Sequence, residues 1–168
     1  ESESIVDTLE QLVEAGFSGE TAARMVNSVL NLKTKNGRFS TVDISMVDLY
    51  SGMCHFLKAG AATTFIKRDH WVEAISSTSL ALGLVQQADF ESSTKKLYEG
   101  DFLIMVTDGV LDALPEGQAE EIMKEIILQT NASAAQELGR GILERVLTYS
   151  GYCATDDMTV LAAGLWRN

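Results

Sequence analysis

Thr107-Asp108-Gly109 follows directly on five apolar residues, Phe102 to Val106. A run so short and so apolar reads as a fully buried strand. A carboxylate at its end is held at the rim of the core, and the glycine beside it lets a ligand or a second backbone come close. Read alone, Asp-Gly is equally a common turn. A second acidic segment, Thr155-Asp156-Asp157-Met158-Thr159, opens the apolar run from Met158 to Leu165. Two adjacent acids at a strand mouth repel each other, and a cation relieves the repulsion. Taken alone, this pair is also an ordinary solvated strand entry. Together the two segments set aspartates at the ends of apolar strands, where strand pairing can unite them. Carboxylate oxygens are the donors that magnesium and manganese prefer.

The other reactive residue types point away from covalent catalysis. His55 falls inside a strand and His70 on a turn, and neither has neighbours that orient it. Both read as structural. Cys54 and Cys153 have no zinc-site spacing and no basic neighbour to activate a thiolate. Free thiols in a reducing cytoplasm are the expectation. Lys67-Arg68 reads as a solvated turn. With no poised nucleophile, the chemistry left is water activated by a metal.

Helices and strands must position those aspartates. Ile5, Leu9, Leu12 and Val13 predict a helix over 2–15, begun by Ser4 and Asp7 and stopped at Gly16. A second helix is predicted over 19–33, capped by Ser18, with Ala22, Met25, Val26, Val29 and Leu30 inward. After Asn36-Gly37 the period shortens to two. Strands are predicted at 39–49, with Asp48 sharing a face with Val42, Ile44 and Met46, and at 53–58. Further strands are expected at 62–67, 71–75, 90–97 and 102–106. Helices at 116–129 and 132–148 and a closing strand at 158–165 complete the reading. Strands in the middle and helices at both ends argue for α+β layers over an alternating βαβ wind.

Composition narrows the function classes. With 46% apolar and 22% charged residues, the chain has the make-up of a folded protein. A net charge of −11, with no Lys/Arg run longer than two, would repel a nucleic acid backbone, so that partner class is excluded. No stretch of about 18 apolar residues exists to cross a membrane. The chain is expected to be a single domain over 1–168, with a helical hairpin at 1–35 and a sheet core at 36–168. It opens at Glu1 almost directly into a helix and reads as a piece of something longer.

The ordered set of segments resembles a known family. The run Phe39 to Leu49 (FSTVDISMVDL), the stretch Phe56 to Gly60 (FLKAG) followed by Phe65 to Arg68 (FIKR), Asp108-Gly109, and Thr155 to Thr159 (TDDMT) occur in order. They resemble the bacterial branch of the protein phosphatase 2C-like metal-dependent family, most specifically its sporulation phosphatases. The resemblance covers essentially the whole chain.

It implies a two-layer antiparallel β-sandwich flanked by helices, with the N-terminal strands lying upstream of this chain. It also implies a serine/threonine phosphatase that uses two Mn2+ or Mg2+ ions and an activated water, without a phosphoenzyme. By position, Asp108 and Asp156 are implied as metal ligands, and Asp157 as a residue that orients water or a ligand. Gly109 and Gly60 are implied as supporting glycines. The family's first Asp-Gly motif belongs before the first helix, so the fragment alone is expected to be inactive.

The implied substrate is a phosphorylated anti-anti-sigma factor, whose dephosphorylation frees a sporulation sigma factor. The N-terminal helices are implied as a regulatory switch and homodimer contact. The implied location is cytoplasmic, with the parent protein tethered to a membrane elsewhere. A non-catalytic scaffold of the same fold is the alternative, although a scaffold has no need for acids at buried strand ends. A haloacid dehalogenase-type phosphotransferase would need an Asp-x-Asp after an early strand, where this chain has helices.

Overall fold

The computed structural model describes residues 2–33, 39–85, 90–152 and 156–166. Its elements are α1 (Ser2–Glu14), α2 (Gly19–Lys33), β1 (Val42–Val47), β2 (Met53–Ala59), β3 (Thr64–Arg68), β4 (Trp71–Ile75), β5 (Glu91–Lys96), β6 (Phe102–Val106), α3 (Asp108–Asp112), α4 (Ala119–Gln129), α5 (Ala135–Tyr149) and β7 (Val160–Gly164). They form two antiparallel sheets with helices, in two compact units: Glu1–Ala61 with Ser77–Lys96, and Ala62–Ser76 with Leu97–Asn168.

In the first unit the sheet order is β1-β2-β5. Ile5 and Leu9, one helical turn apart on α1, are buried against Ala22, Ala23 and Val26 of α2 and Leu57 and Ala59 of β2. The α1 stop is a Schellman turn. Gly16 takes a left-handed φ of 92°, its N–H donates to the Val13 carbonyl, and the Phe17 N–H donates to that of Leu12. Ser18 caps α2 as expected, its Oγ accepting the Thr21 N–H at 3.2 Å. Ser4, by contrast, lies inside α1, and its carbonyl accepts the Thr8 hydroxyl.

The inward face of α2 also differs from the expected one. Met25 and Val29 are exposed, while Asn27 is buried. Asn27 earns that place by bonding backbone: its Oδ1 accepts the Gly83 N–H at 2.8 Å, and its Nδ2 donates to the Val85 carbonyl at 3.2 Å. Asp48 is off the strand face predicted for it. Its carboxylate accepts the Tyr50 N–H and the Ser51 hydroxyl, making the turn between β1 and β2. Asn36-Gly37, Cys153 and Thr155 fall outside the described residues.

In the second unit the order is β4-β3-β6-β7. Phe102, Leu103 and Ile104 of β6 are all buried, matching a strand covered on both faces. Phe65, Ile104, Val110, Met123, Ile127, Leu138, Ile142 and Val146 make the core that holds α3, α4 and α5. Lys67 is buried there and donates to the Ile127 carbonyl at 3.1 Å, near the end of α4, where a cation offsets the helix dipole. Among the described residues, no helix is long and apolar enough to cross a membrane.

Candidate metal centre

The antiparallel pairing of β6 with β7 decides where the aspartates meet. Its register runs from Phe102↔Gly164 to Val106↔Val160, so the exit of β6 lies beside the entry of β7. Asp108 is therefore placed next to the segment carrying Asp156 and Asp157. Asp108 is the first residue of α3, a short helix where a simple turn was one reading. The glycine beside it is buried, and a Cβ built there would lie 3.3 Å from the Cβ of Asp156 and 2.5 Å from the carbonyl oxygen of Asp157. Only a residue without a side chain allows that approach.

Asp108, Asp156 and Asp157 are all exposed. One Asp108 oxygen accepts the Gly109 N–H at 3.1 Å, and one Asp156 oxygen accepts the Asp157 N–H at 2.7 Å. Among the described residues no Lys, Arg or His forms an ion pair with any of the three. Acids on adjacent segments with no cationic side chain paired to them are of the type that a hard divalent cation prefers. Among the described residues no group of three or more His, Cys, Asp and Glu side chains converges on one point.

The remaining candidates stand elsewhere. Gly60 directly follows β2 in the first unit with φ 62°, and its N–H donates to the Ser79 carbonyl. A Cβ there would come within 2.8 Å of the Ala81 nitrogen, so its described role is a tight backbone crossing. His55 bonds the Thr94 hydroxyl across β2 and β5. His70 lies at the β3–β4 turn, the end of the second sheet opposite Asp108. Cys54 is buried, and its thiol is pushed up to about 11 by burial and then by Asp43, which leaves it unreactive. Sequence reasoning missed the hydroxyl of Thr107, which bonds the Asp157 segment. Its only signal was its place between a buried strand and an aspartate.

The sequence profile of stage II sporulation protein E (SpoIIE) matches residues 1–165. The chain belongs to the SpoIIE family. It is 31% identical over 169 residues to stage II sporulation protein E of Bacillus subtilis, covering 100% of this chain and 20% of that protein. Phosphoserine phosphatase RsbU of the same organism is 22% identical over 91% of this chain and 47% of its own length. The chain thus spans a fifth of the length of one of these relatives and just under half of the other.

Two solved structures of Bacillus subtilis SpoIIE extend the likeness to the fold. One, the PP2C phosphatase domain with a fragment of the regulatory domain, superposes with a TM-score of 0.88 at 30% identity, over 98% of this chain and 50% of that one. The other, the phosphatase domain presoaked with manganese, gives 0.75 at 30% identity over 100% and 76%. The α+β reading and the family resemblance are borne out: the chain has the phosphatase 2C-like fold of the SpoIIE phosphatase domain.

Proposed function

We propose that the chain is the greater part of a metal-dependent serine/threonine protein phosphatase, in which Asp108 and Asp156 hold a divalent ion, Mn2+ or Mg2+. The observation that carries this reading is the contact at Gly109, which sets the Asp156-Asp157 segment against the helix that begins at Asp108. A divalent ion bound there would supply Lewis-acid activation of water and charge relief for a phosphoryl group. Asp157, the next carboxylate along, orients water or a ligand. Gly109 keeps the two segments close, and Gly60 supports its own turn, where a Cβ would meet the Ala81 backbone. A scaffold of the same ancestry has no use for acids gathered without a cation.

The family and the fold support the substrate expected from the resemblance, phosphoserine on an anti-anti-sigma factor-like protein that controls a sporulation sigma factor. The SpoIIE relatives are sporulation proteins, and RsbU is a phosphoserine phosphatase. Pairing of copies through the N-terminal helices is supported by exposed apolar side chains there: Val6 of α1, Phe17 of the connection, and Met25, Val29 and Leu32 of α2.

Manganese binding tests the reading. Equilibrium titration of the full-length protein should show Mn2+ affinity that Asp108→Ala and Asp156→Ala each lower by at least tenfold. Unchanged affinity in both variants, with the fold retained, would place the metal elsewhere.

A further inference from the structure

Thr107 has the backbone of a helix N-cap, with φ −80° and ψ 160°, yet its hydroxyl makes no bond to its own helix. An N-cap threonine ordinarily accepts an N–H from the first turn of the helix. Here the hydroxyl faces the neighbouring strand. It accepts the Thr159 N–H at 2.9 Å and donates to the Asp157 carbonyl at 3.2 Å. One donor and one acceptor function of the hydroxyl are thereby used.

The ladder explains the exchange. The paired register ends at Val106↔Val160, and one position further on the Thr107 N–H still donates to the Thr159 carbonyl at 3.1 Å. In a regular hydrogen-bonded pair the Thr159 N–H would return to the Thr107 carbonyl. That carbonyl instead accepts the Val110 N–H at 3.0 Å and begins α3. The hydroxyl takes its place in the sheet. β6 can turn into a helix at this residue while the chain entering β7 stays attached, with Asp108 on one side and Asp156 and Asp157 on the other.

We infer that Thr107 is a positioning residue of the metal corner, its hydroxyl setting the spacing between the Asp108 and Asp156 carboxylates. The inference rests on the metal reading proposed above and deepens it. Thr107→Val keeps the shape and removes both side-chain bonds, whereas Thr107→Ser keeps them.

Two readouts on the full-length protein test it. In the metal-free state, hydrogen exchange at the Thr159 amide should quicken at least tenfold in Thr107→Val and stay near wild type in Thr107→Ser. In a Mn2+ titration, Thr107→Val should lose about tenfold in affinity, and Thr107→Ser should recover most of it. Unchanged Thr159 exchange in a folded Thr107→Val protein would overturn the clamp whatever the metal does. Quickened exchange with wild-type Mn2+ affinity would overturn its role in positioning. A wild-type protein that protects Thr159 but binds no Mn2+ would instead bring down the metal reading, and the positioning role with it.

Discussion

A Cβ on Gly109 would lie 2.5 Å from the carbonyl oxygen of Asp157, so the second residue of α3 and the segment before β7 touch backbone to backbone. The obstacle is main chain and cannot rotate away. Gly109→Ala must therefore push the Asp156-Asp157 segment off Asp108. Overpacking of this kind costs about 1–3 kcal/mol of stability. A displacement near 1 Å at a reacting centre can cost about a hundredfold in rate. The Ala variant should thus melt only modestly lower while its Mn2+-dependent phosphate release falls by about two orders of magnitude. Calorimetry and kinetics on the same preparation separate the two effects, and equal activity would remove Gly109 from the account.

Lys58 and Asp43 face each other across β2 and β1 and form an ion pair whose lysine is buried and whose carboxylate is half-buried. Burial draws the Lys58 ammonium below its ordinary range, and its bond to Asp43 opposes that shift. Removing one partner of a buried pair costs about 3–5 kcal/mol, whereas replacing both with apolar groups is often neutral. Lys58→Met should therefore lower the urea midpoint strongly, and adding Asp43→Leu should restore most of the loss. A double variant as unstable as the single one would contradict this.

Cys54 gives a stability change with pH whose sign is fixed. The folded thiol titrates near 11, against an ordinary 9.0. Between those values the unfolded chain loses a proton that the folded chain keeps, so the native state loses stability as pH rises. Two pH units correspond to about 2–3 kcal/mol, fully present below pH 9 and gone above pH 11. Urea unfolding at pH 8 and pH 10.5 should show a steeper loss for wild type than for Cys54→Val. Parallel losses would contradict the assignment.

Much of the fold was legible because the apolar period changes cleanly along the chain. Ile5 and Leu9 mark a helix, and Phe102 to Val106 mark a strand covered on both faces. The inward face of α2 was harder to read. Asn27 is buried where Gly83 and Val85 offer backbone partners more than 50 residues away, which no local pattern encodes. The aspartates were legible as strand-end acids that strand pairing could unite, and the resemblance added their implied role. The work of Thr107 was not, because a threonine before an aspartate ordinarily caps its own helix. Only the pairing of β6 with β7 shows where its hydroxyl goes.

The most direct test of the phosphatase reading is manganese-dependent phosphate release from a phosphoserine protein by the full-length protein, beside the same protein carrying Asp156→Ala. The account predicts release that requires Mn2+ or Mg2+ and falls at least a hundredfold in the variant, with the fold intact by circular dichroism. Release that is unaffected by Asp156→Ala, or a folded wild-type protein inactive at every metal concentration, would contradict it.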